Sequence, residues 1–404
     1  MTNSKDEARI SSIREALRQH SIDVLVCSLP LNVLLLSGYW PVVGTSVALA
    51  CKDGAIHLIV PEDEEDLARK GFADEITTFK PSSLESLKTT TDSLREPLRV
   101  VANKIGKTAR IALETHETSA PASYAAMHLY RIDTEDLVQQ SFPGATLLCA
   151  KGVLQQLRER KSPDELDRLR SACKIAERAF VEGAAQLRAG FTEVEAANLF
   201  RGVLSNALPD FPQIERADGF VFCMSGPNSA EAHGAYARSR SRRVMAGDLV
   251  LVHCNSYADG FWTDITRTYH IGEPGTKARE MYDAVFAARE QALRAIRPEA
   301  TGAAVDEAAR SVLEQRGFGA NFKHSTGHGV GFHAISPDAR PRLHPKSRDK
   351  LLAGMVCNVE PAIYIEGFGG IRQCDMVAVT TDGYELLTPF QASPQELVIR
   401  QVSA

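Results

Sequence analysis

The sequence predicts a protein of two domains, the first of the α/β class and the second of the α+β class. At 404 residues the chain is longer than one hydrophobic core usually supports. Over the first 150 residues helical periods alternate with short apolar runs, which favours a partly parallel sheet covered by helices. Beyond that point helices and antiparallel strands form separate blocks, as in an α+β domain. The predicted domains are residues 1–155 and 156–404.

The first domain begins with a helix and a buried strand. Ile10, Ile13 and Leu17 recur at helical spacing within residues 6–20. The apolar run that ends at Cys27 predicts a strand over residues 23–27. Four more strands are predicted at 46–51, 56–60, 75–79 and 109–114.

The second domain opens with helices. Ser162 followed by Pro163, with Glu165 three residues after the serine, is typical of a helix start. Thr192 and Glu195 repeat the pattern of a capping residue followed by glutamate. We therefore place the linker between the domains near residues 150–162.

The rest of the second domain mixes two helices with strands. Helices are predicted over residues 276–297 and 302–316 from their apolar periodicity. Turn residues separate most of the strands, which favours antiparallel pairing. The predicted strands are 219–225, 248–254, 262–271, 355–365, 371–380 and 384–388.

Composition and charge exclude several classes of protein. The formal net charge is −5, and basic residues with interleaved aromatics form no stripe, which argues against a nucleic-acid partner. The polar N-terminus is unlike a secretory signal, and no apolar run approaches the roughly 18 residues of a membrane helix. The eight cysteines include no CxxC pair, as is typical of reduced thiols. We expect a cytoplasmic protein.

A predicted hairpin places two polar side chains opposite each other. In LVHCNSYADGFWTDITRTYHIG, residues 251–272, His253 lies on the first strand and Asp264 near the start of the second. Ala258-Asp259-Gly260 is a plausible turn between the strands. The pair is compatible with a metal site, an acid–base pair or two buried polar groups.

Two further strands carry chemically active residues. Glu360 interrupts the apolar run VCNVEPAI, where it is either ion-paired with Arg372 or a metal ligand. Alternation along the next strand places Arg372 and Cys374 on one face and Asp375 on the other. A lone cysteine such as Cys374 is most often a small buried apolar residue.

A glycine-rich segment supplies the last candidate. HSTGHGVGFH, residues 324–333, lacks the GK[ST] of a phosphate loop, so its glycines are expected to let the backbone approach a site closely. The second domain thus offers one set of side chains suited to a hydrolytic Zn, Mn, Fe or Co site: His253, Asp264, His328, Glu360 and Cys374.

Several segments together resemble the creatinase, aminopeptidase P and prolidase family. They are RISSIREALRQHSIDVLVCSLPLNVLLLSGY, LRERKSPDELDRLRSACKIAERAF, GDLVLVHCNSYADGFWTDITRT, GHGVGF, NVEPAIYI and GGIRQCDMVAVT. The resemblance covers nearly the whole chain. It implies a creatinase-like N-terminal domain, a "pita-bread" C-terminal domain, hydrolysis of C–N bonds in small molecules or short peptides, and a homodimer.

The resemblance also implies a ligand set. The family's peptidases bind two metal ions through Asp, Asp, His, Glu and Glu, of which Asp264, His328 and Glu360 carry over. His253 stands where the first Asp is expected, eleven residues before Asp264, and Cys374 stands where the last Glu is expected. We therefore expect one or two divalent first-row ions, with no metal as the alternative.

Catalytic residues follow from the same comparison. His233 in SAEAHGAYA resembles the family's upstream substrate-facing histidine. Position 335, where the family has a further histidine, is isoleucine, and His333 is its candidate substitute. Glu360 is expected to position water or substrate, and Arg372 to hold a substrate carboxylate.

Four interpretations remain open at this level. In the first, a bound ion activates water to attack an amide. In the second, the chain resembles the creatinase branch, which hydrolyses a C–N bond without metal by means of histidine and carboxylates. The third is a non-catalytic cleft that binds a partner, and the fourth uses Cys374 as a nucleophile.

Overall fold

The chain divides into two compact units. A computed structural model describes residues 5–43, 45–81, 88–106, 110–114, 134–235, 238–336 and 338–400. The units are Met1–Asp164 and Glu165–Ala404, whereas the boundary predicted between 155 and 156 falls inside a helix, Lys151–Glu159. The first unit is α/β and the second α+β, so the predicted fold classes are confirmed.

A six-stranded mixed sheet forms the frame of the first unit. Its strands are β1 (Val24–Cys27), β2 (Val47–Cys51), β3 (Ile56–Pro61), β4 (Glu75–Phe79), β5 (Arg110–Leu113) and β6 (Thr146–Cys149). They lie in the order β4-β3-β2-β1-β5-β6, and β1 pairs antiparallel with β2 but parallel with β5. The five predicted strands are confirmed, apart from residue 109, which lies outside the described residues. Strand β6 was missed because its side chains are partly exposed and do not alternate in burial.

The helices described in the first unit are α1 (Glu7–Gln19), α2 (Pro30–Ser37), α3 (Glu65–Ala68), α4 (Thr90–Ile105), α5 (Glu135–Ser141) and α6 (Lys151–Glu159). The first begins where the Asp6 side chain accepts a hydrogen bond from the backbone N–H of Arg9. It buries Ile10, Ile13 and Leu17, as the sequence predicts.

A buried carboxylate caps helix α2. Glu114 directly follows β5 and accepts hydrogen bonds from the backbone N–H groups of Ser28 and Leu29, the Ser28 hydroxyl and the Asn32 amide. The residue before the helix, Leu29, has no capping side chain, so Glu114 satisfies donors that the helix leaves unpaired. Burial raises the pKa of Glu114, and these hydrogen bonds oppose the rise.

Replacing this carboxylate is expected to destabilise the first unit. Glu114→Gln turns one acceptor oxygen into an NH₂ group that faces donors, so the urea midpoint should fall by the equivalent of about 1–3 kcal/mol. Glu96→Gln, which alters an exposed pair with Arg99, is the matched control and should leave the midpoint unchanged. Equal midpoints for both variants would show that Glu114 adds no stability.

The second unit combines five helices with three small sheets. The helices are α7 (Pro163–Gln186), α8 (Glu193–Asn206), α9 (Ala232–Ala235), α10 (Thr276–Ala295) and α11 (Gly302–Gln315). Helix α8 begins with the predicted capping box of Thr192 and Glu195. Within the described ranges, no helix has both the length and the apolar composition needed to cross a bilayer.

The strands of the second unit are mostly antiparallel, as predicted. They are β7 (Ala217–Ser225), β8 (Leu249–Ala258), β9 (Phe261–Trp262), β10 (Ile265–Ile271), β11 (Val356–Val359), β12 (Ala362–Ile365), β13 (Gly369–Arg372), β14 (Asp375–Val379), β15 (Tyr384–Leu386) and β16 (Val398–Ile399). One sheet has the order β16-β10-β8-β7 with β9 added to β8, a second has the order β11-β14-β15, and β12 pairs with β13. Only the pairing of β16 with β10 is parallel among those described.

The predicted hairpin at residues 251–272 is confirmed. Ala258 pairs with Phe261, and Asp259 and Gly260 between them both have positive φ, 44° and 84°. Two consecutive residues in this region form the tight turn that suits the twist of a hairpin. The register pairs His253 with Thr266, and Asp264 lies just before β10.

The three long strands predicted near the candidate site are each interrupted: 262–271, 355–365 and 371–380. The prediction of continuous strands was wrong at Asp264, at Glu360 and at Cys374. At each break the backbone hydrogen bonding to the neighbouring strand stops. An isolated β-bridge between Thr266 and Cys374 joins two of the interrupted segments. The breaks allow the three side chains to meet in one cluster.

Candidate functional site

Three of the predicted site residues approach one another. The Nε2 atom of His328 lies 3.4 Å from Asp264 Oδ2 and 4.0 Å from Glu360 Oε1. The His328 loop comes this close because Gly327 has no side chain: a Cβ there would lie 2.1 Å from the carbonyl oxygen of Asn358. The expected role of the glycines in this segment is thus confirmed at Gly327.

Cys374 joins the cluster as a protonated thiol. Its Sγ lies 3.2 Å from the backbone carbonyl oxygen of Asp264, and because a carbonyl only accepts, the thiol donates. Burial raises the pKa of Cys374 well above its ordinary value, and the carboxylates of Asp264 and Glu360 raise it further. The reactive form of cysteine is the thiolate, so this geometry gives no support to Cys374 as a nucleophile.

His253 is buried and bonded at both ring nitrogens. Its Nδ1 lies 2.9 Å from Nη2 of Arg372, and a guanidinium only donates, so Nδ1 is the acceptor. Its Nε2 then carries the proton, which it donates to Asn255 Oδ1 at 3.1 Å. Burial, followed by the charge of Arg372, lowers the pKa of His253 to about 4, so the ring is neutral.

Arg372 is the cation at the centre of these contacts. It is 4 % exposed, and Nε donates to the Thr266 hydroxyl at 3.1 Å while Nη1 donates to the Tyr364 hydroxyl at 3.4 Å. Nε also lies 4.0 Å from Glu360 Oε2, so the ion pair weighed from the sequence is present. The guanidinium of Arg372 donates its hydrogen bonds to side chains of the protein. This favours a role for Arg372 in positioning those side chains over the binding of a substrate carboxylate.

Asn358 is a member of the cluster that sequence reasoning missed. Its Oδ1 accepts the backbone N–H of His328 at 2.7 Å, which fixes the orientation of the amide. The Nδ2 atom therefore faces the cluster, 3.1 Å from Asp264 Oδ2, 3.3 Å from His328 Nε2 and 3.6 Å from Cys374 Sγ. Asn358 precedes Glu360 by two residues, so strand alternation was the signal that could have found it.

The charges of the cluster are mutually dependent. Burial raises the pKa of Glu360 to about 7, with the neighbouring charge of Asp264 acting in the same direction. Burial opposes a charged His328, but its hydrogen bond to Asp264 and the charges of both carboxylates raise its pKa to about 9. A second carboxylate oxygen, Asp264 Oδ1, is buried without a hydrogen-bond partner.

A group of rings forms a second part of the site. The Nδ1 of His324 donates to the carbonyl of Ser325 at 2.8 Å, so its Nε2 accepts the Tyr364 hydroxyl at 2.9 Å. The ring of His233 lies 5.5 Å from that of Tyr364, and its Nδ1 donates to the Ala230 carbonyl at 3.1 Å. The sequence singled out His233 but gave no role to His324 or Tyr364.

The remaining predicted residue is His333. It is half-buried at the end of the glycine-rich segment, and its carbonyl accepts the N–H of Gly331. Its catalytic role stays a prediction. In SAEAHGAYA, Tyr236 and Ala237 lie outside the described residues.

The donor atoms around the cluster do not fit a pair of metal ions. A metal ligand must be a neutral imidazole nitrogen with a free lone pair, a thiolate or a carboxylate. Both ring nitrogens of His253 are hydrogen-bonded, Cys374 Sγ lies 3.2 Å from the Asp264 carbonyl oxygen, and the Asn358 amide nitrogen lies 3.1 Å from Asp264 Oδ2 and 3.3 Å from His328 Nε2. Within the described parts of the chain, no three His, Cys, Asp or Glu side chains are arranged to hold a metal ion. The five-residue ligand set stays a prediction from the resemblance.

Family models match both units of the chain. The model described as the Creatinase/Prolidase N-terminal domain matches residues 9–160. The model described as metallopeptidase family M24 matches residues 167–381, which is more than half of the chain. The description of that family implies metal-dependent members, whereas the donor arrangement above does not fit a pair of metal ions.

Individual relatives are similar over nearly their full lengths. An uncharacterised peptidase of Staphylococcus aureus is 26% identical over 386 residues, which cover 95% of this chain and 99% of the relative. The Xaa-Pro dipeptidase of Pyrococcus furiosus is 27% identical over 380 residues, which cover 94% and 97%. The match therefore extends across both units.

Solved structures give the same result. The prolidase from Pyrococcus horikoshii superposes with a TM-score of 0.73 at 25% identity and covers 94% of this chain and 98% of its own. The X-Pro aminopeptidase from Thermotoga maritima superposes with a TM-score of 0.77 at 25% identity and covers 96% and 100%. The resemblance drawn from the sequence motifs is confirmed, together with the creatinase-like and pita-bread domains: the chain belongs to metallopeptidase family M24.

Proposed function

We propose that this chain hydrolyses the C–N bond of an Xaa-Pro dipeptide or of another small compound of that size. The observation that carries the proposal is the hydrogen-bonded series from Arg372 through Tyr364 to His324, beside His233 and Glu360. Such a group of acid, base and fixed donors is what hydrolysis of an amide requires. Relatives named as prolidase and Xaa-Pro dipeptidase support the substrate class.

Glu360 is the proposed base. Its two carboxylate oxygens lie 4.0 Å from His328 and 4.0 Å from Arg372, distances too long for direct hydrogen bonds. The carboxylate is therefore held between two cationic side chains without being bonded to either. In the proposed reaction it takes a proton from water while the water oxygen bonds to the carbonyl carbon of the substrate.

His233 is the proposed acid. Because Nδ1–H is bonded to the Ala230 carbonyl, Nε2 is the ring atom that can exchange a proton with the substrate. The residue is exposed, so a substrate can reach it. Its proton passes to the leaving nitrogen as the C–N bond breaks, which releases an amine and a carboxylic acid.

Tyr364 and His324 are proposed as positioning residues. Tyr364 is fully buried, its hydroxyl receives the Nη1–H of Arg372 and donates its own proton to His324 Nε2. This series holds the tyrosine ring at a fixed place next to His233. A fixed ring keeps the proposed acid in one orientation, which hydrolysis needs for proton delivery.

A panel of small substrates tests the proposal. Xaa-Pro dipeptides, their reversed Pro-Xaa counterparts and N-substituted amino acids are incubated with the full chain, and amine release is measured by chromatography. We expect turnover of Xaa-Pro compounds, and loss of that turnover in Glu360→Gln with an unchanged circular dichroism spectrum. A folded protein that releases product from no member of the panel would favour the non-catalytic interpretation instead.

Cytoplasmic location and homodimer formation stay predictions from the sequence, as does the absence of a nucleic-acid partner. Size-exclusion chromatography with light scattering would test the dimer directly.

A further inference from the structure

We infer that this chain acts without a resident metal ion, because the guanidinium of Arg372 and the side-chain amide of Asn358 bind the residues that the family uses as metal ligands. The inference deepens the proposed function and rests on it for its catalytic consequence. It is carried by the donors and acceptors of Asn358, Arg372 and Cys374 and of the side chains that they contact.

The first step concerns the amide of Asn358. Its oxygen is held by the backbone N–H of His328, so the amide cannot turn over to present an acceptor to the cluster. Its NH₂ group lies within 3.6 Å of Asp264, His328 and Cys374. An ion bound by these residues would compete with the NH₂ group for Asp264 Oδ2 and for the space that Asp264, His328 and Cys374 share.

The second step concerns the guanidinium of Arg372. It bonds Nδ1 of His253, the nitrogen that faces Asp264 at 3.7 Å, and thereby uses the lone pair that would bind an ion between the two residues. The opposite nitrogen of His253 is held by Asn255. A histidine fixed in this way is the acceptor of an arginine and offers nothing to a metal.

The third step concerns Cys374. Where a glutamate would offer two oxygens on a longer side chain, Cys374 offers one sulfur atom, which lies 3.2 Å from the Asp264 carbonyl oxygen. Its side chain is fully buried beside the Asn358 amide. The substitution thus leaves one donor atom in place of two on the side of the cluster that faces Asn358.

Charge balance supports the same conclusion. The substitutions leave Asp264 and Glu360 as the carboxylates of the cluster, with Arg372 beside Glu360 and His328 beside both. Buried charges are stable only when they are paired, and here protein side chains supply the pairing. Two divalent ions would place four positive charges against these two carboxylates.

The catalytic consequence is that protein donors do the work of an ion. In the proposed reaction Glu360 accepts the water proton, and His233 gives a proton to the leaving nitrogen. The water proton and the histidine proton balance the hydrolysis, so no step needs an additional reactant. A chelator should therefore leave turnover unchanged.

Isothermal calorimetry with the metal alone tests the inference independently of any substrate. The full chain, freed of metal by chelator and dialysis, is titrated with Mn²⁺, Co²⁺ and Zn²⁺ in separate runs. We expect no saturable binding of an ion at the cluster. Saturable binding of one or more ions per chain, abolished by Asp264→Asn, would overturn the inference.

Substitutions that restore the ligand types of the family should create a site that binds a metal ion. The double variant His253→Asp with Asn358→Ser restores a carboxylate and removes the amide, and neither substitution adds volume to the core. A triple variant adds Cys374→Glu. We expect either variant, when folded, to bind at least one ion per chain at least about 100-fold more tightly than the unaltered chain, since single supporting groups alter metal affinity about 10- to 100-fold.

Controls separate the possible failures. Asn32→Ser, which alters a buried asparagine of the first unit, should bind no ion and shows that loss of a buried amide is not itself sufficient. If the folded double and triple variants bind a metal ion no more tightly than the unaltered chain, the inference that these side chains prevent metal binding is refuted. If the chain is inactive and also binds no ion, the proposed hydrolysis is rejected, but the inference that the cluster holds no metal ion still stands.

Discussion

Replacing His233 with alanine is expected to lower kcat for an Xaa-Pro dipeptide by about 10²- to 10⁴-fold, the usual contribution of a positioned acid or base. The imidazole is exposed, with its Nδ1 tied to the Ala230 carbonyl, so its loss removes a proton donor without opening a cavity. The melting temperature should therefore change little. Steady-state kinetics and thermal denaturation on the same preparation measure both quantities.

A histidine of the first unit provides the control for this substitution. His20 is exposed and bonds Gln156, so His20→Ala removes a similar side chain and should leave kcat unchanged. Full activity in His233→Ala would exclude the proposed acid. A fall in melting temperature in parallel with activity would instead assign His233 a structural role.

Replacing Asp375 with asparagine is expected to cause the largest loss of stability in the second unit. Its carboxylate is fully buried and accepts from Arg267, Arg289 and the Thr388 hydroxyl. Removing one partner of a buried ion pair leaves the other charge uncompensated, which costs about 3–5 kcal/mol. Urea denaturation followed by circular dichroism should show a correspondingly lower midpoint.

Asp382 offers the matched control. It lies exposed in the turn before β15, where it accepts only the Thr380 hydroxyl, so Asp382→Asn should change the midpoint little. If Asp375→Asn unfolds at the same urea concentration as Asp382→Asn, the two buried arginines are stabilised by other groups. Such a result would contradict the role given to this ion pair.

Elements with a strong local signal could be predicted from the sequence. Helix α1 follows from three apolar residues at helical spacing, helix α8 from its capping box, and the β8–β9 turn from Asp259 and Gly260. Each of these depends on neighbours in the chain. Strand β6 lacks such a signal, because an edge strand with partly exposed side chains forms through pairing with β5, which the local sequence does not reveal.

The breaks in the strands of the second unit could not be predicted for a related reason. A run of apolar residues with one polar member is typical of a continuous strand, and Glu360 within β11–β12 fits that pattern. The break there depends on partners from other segments, His328 and Arg372, which are distant in the sequence. Such contacts override local preference.

The membership of the site was predicted in part. Asp264, His328, Glu360 and Cys374 do meet, and the opposite orientation of Asp375 follows from strand alternation, as the sequence indicates. Asn358 was missed because an amide in an apolar strand carries no chemical signature of its own. Its importance depends on the orientation that the His328 backbone imposes.

The His253–Asp264 pair shows what the sequence left open. The pattern allowed a metal site, an acid–base pair or two buried polar groups. In the structure His253 Nδ1 is 3.7 Å from Asp264 Oδ1 but 2.9 Å from Arg372, so the histidine is bound to the arginine in preference to the carboxylate. This favours the third possibility, with Arg372 as the group that no local pattern could assign to His253.

The most direct measurement is the metal content and the Xaa-Pro dipeptide turnover of one preparation, before and after treatment with chelator. Elemental mass spectrometry gives ions per chain, and the kinetic assay is run on the same samples. We expect substoichiometric metal in every sample and a turnover that the chelator does not change. The opposite result is a stoichiometric first-row ion, with turnover that is lost when the ion is removed and restored when it is returned. That result would contradict hydrolysis without a resident metal ion.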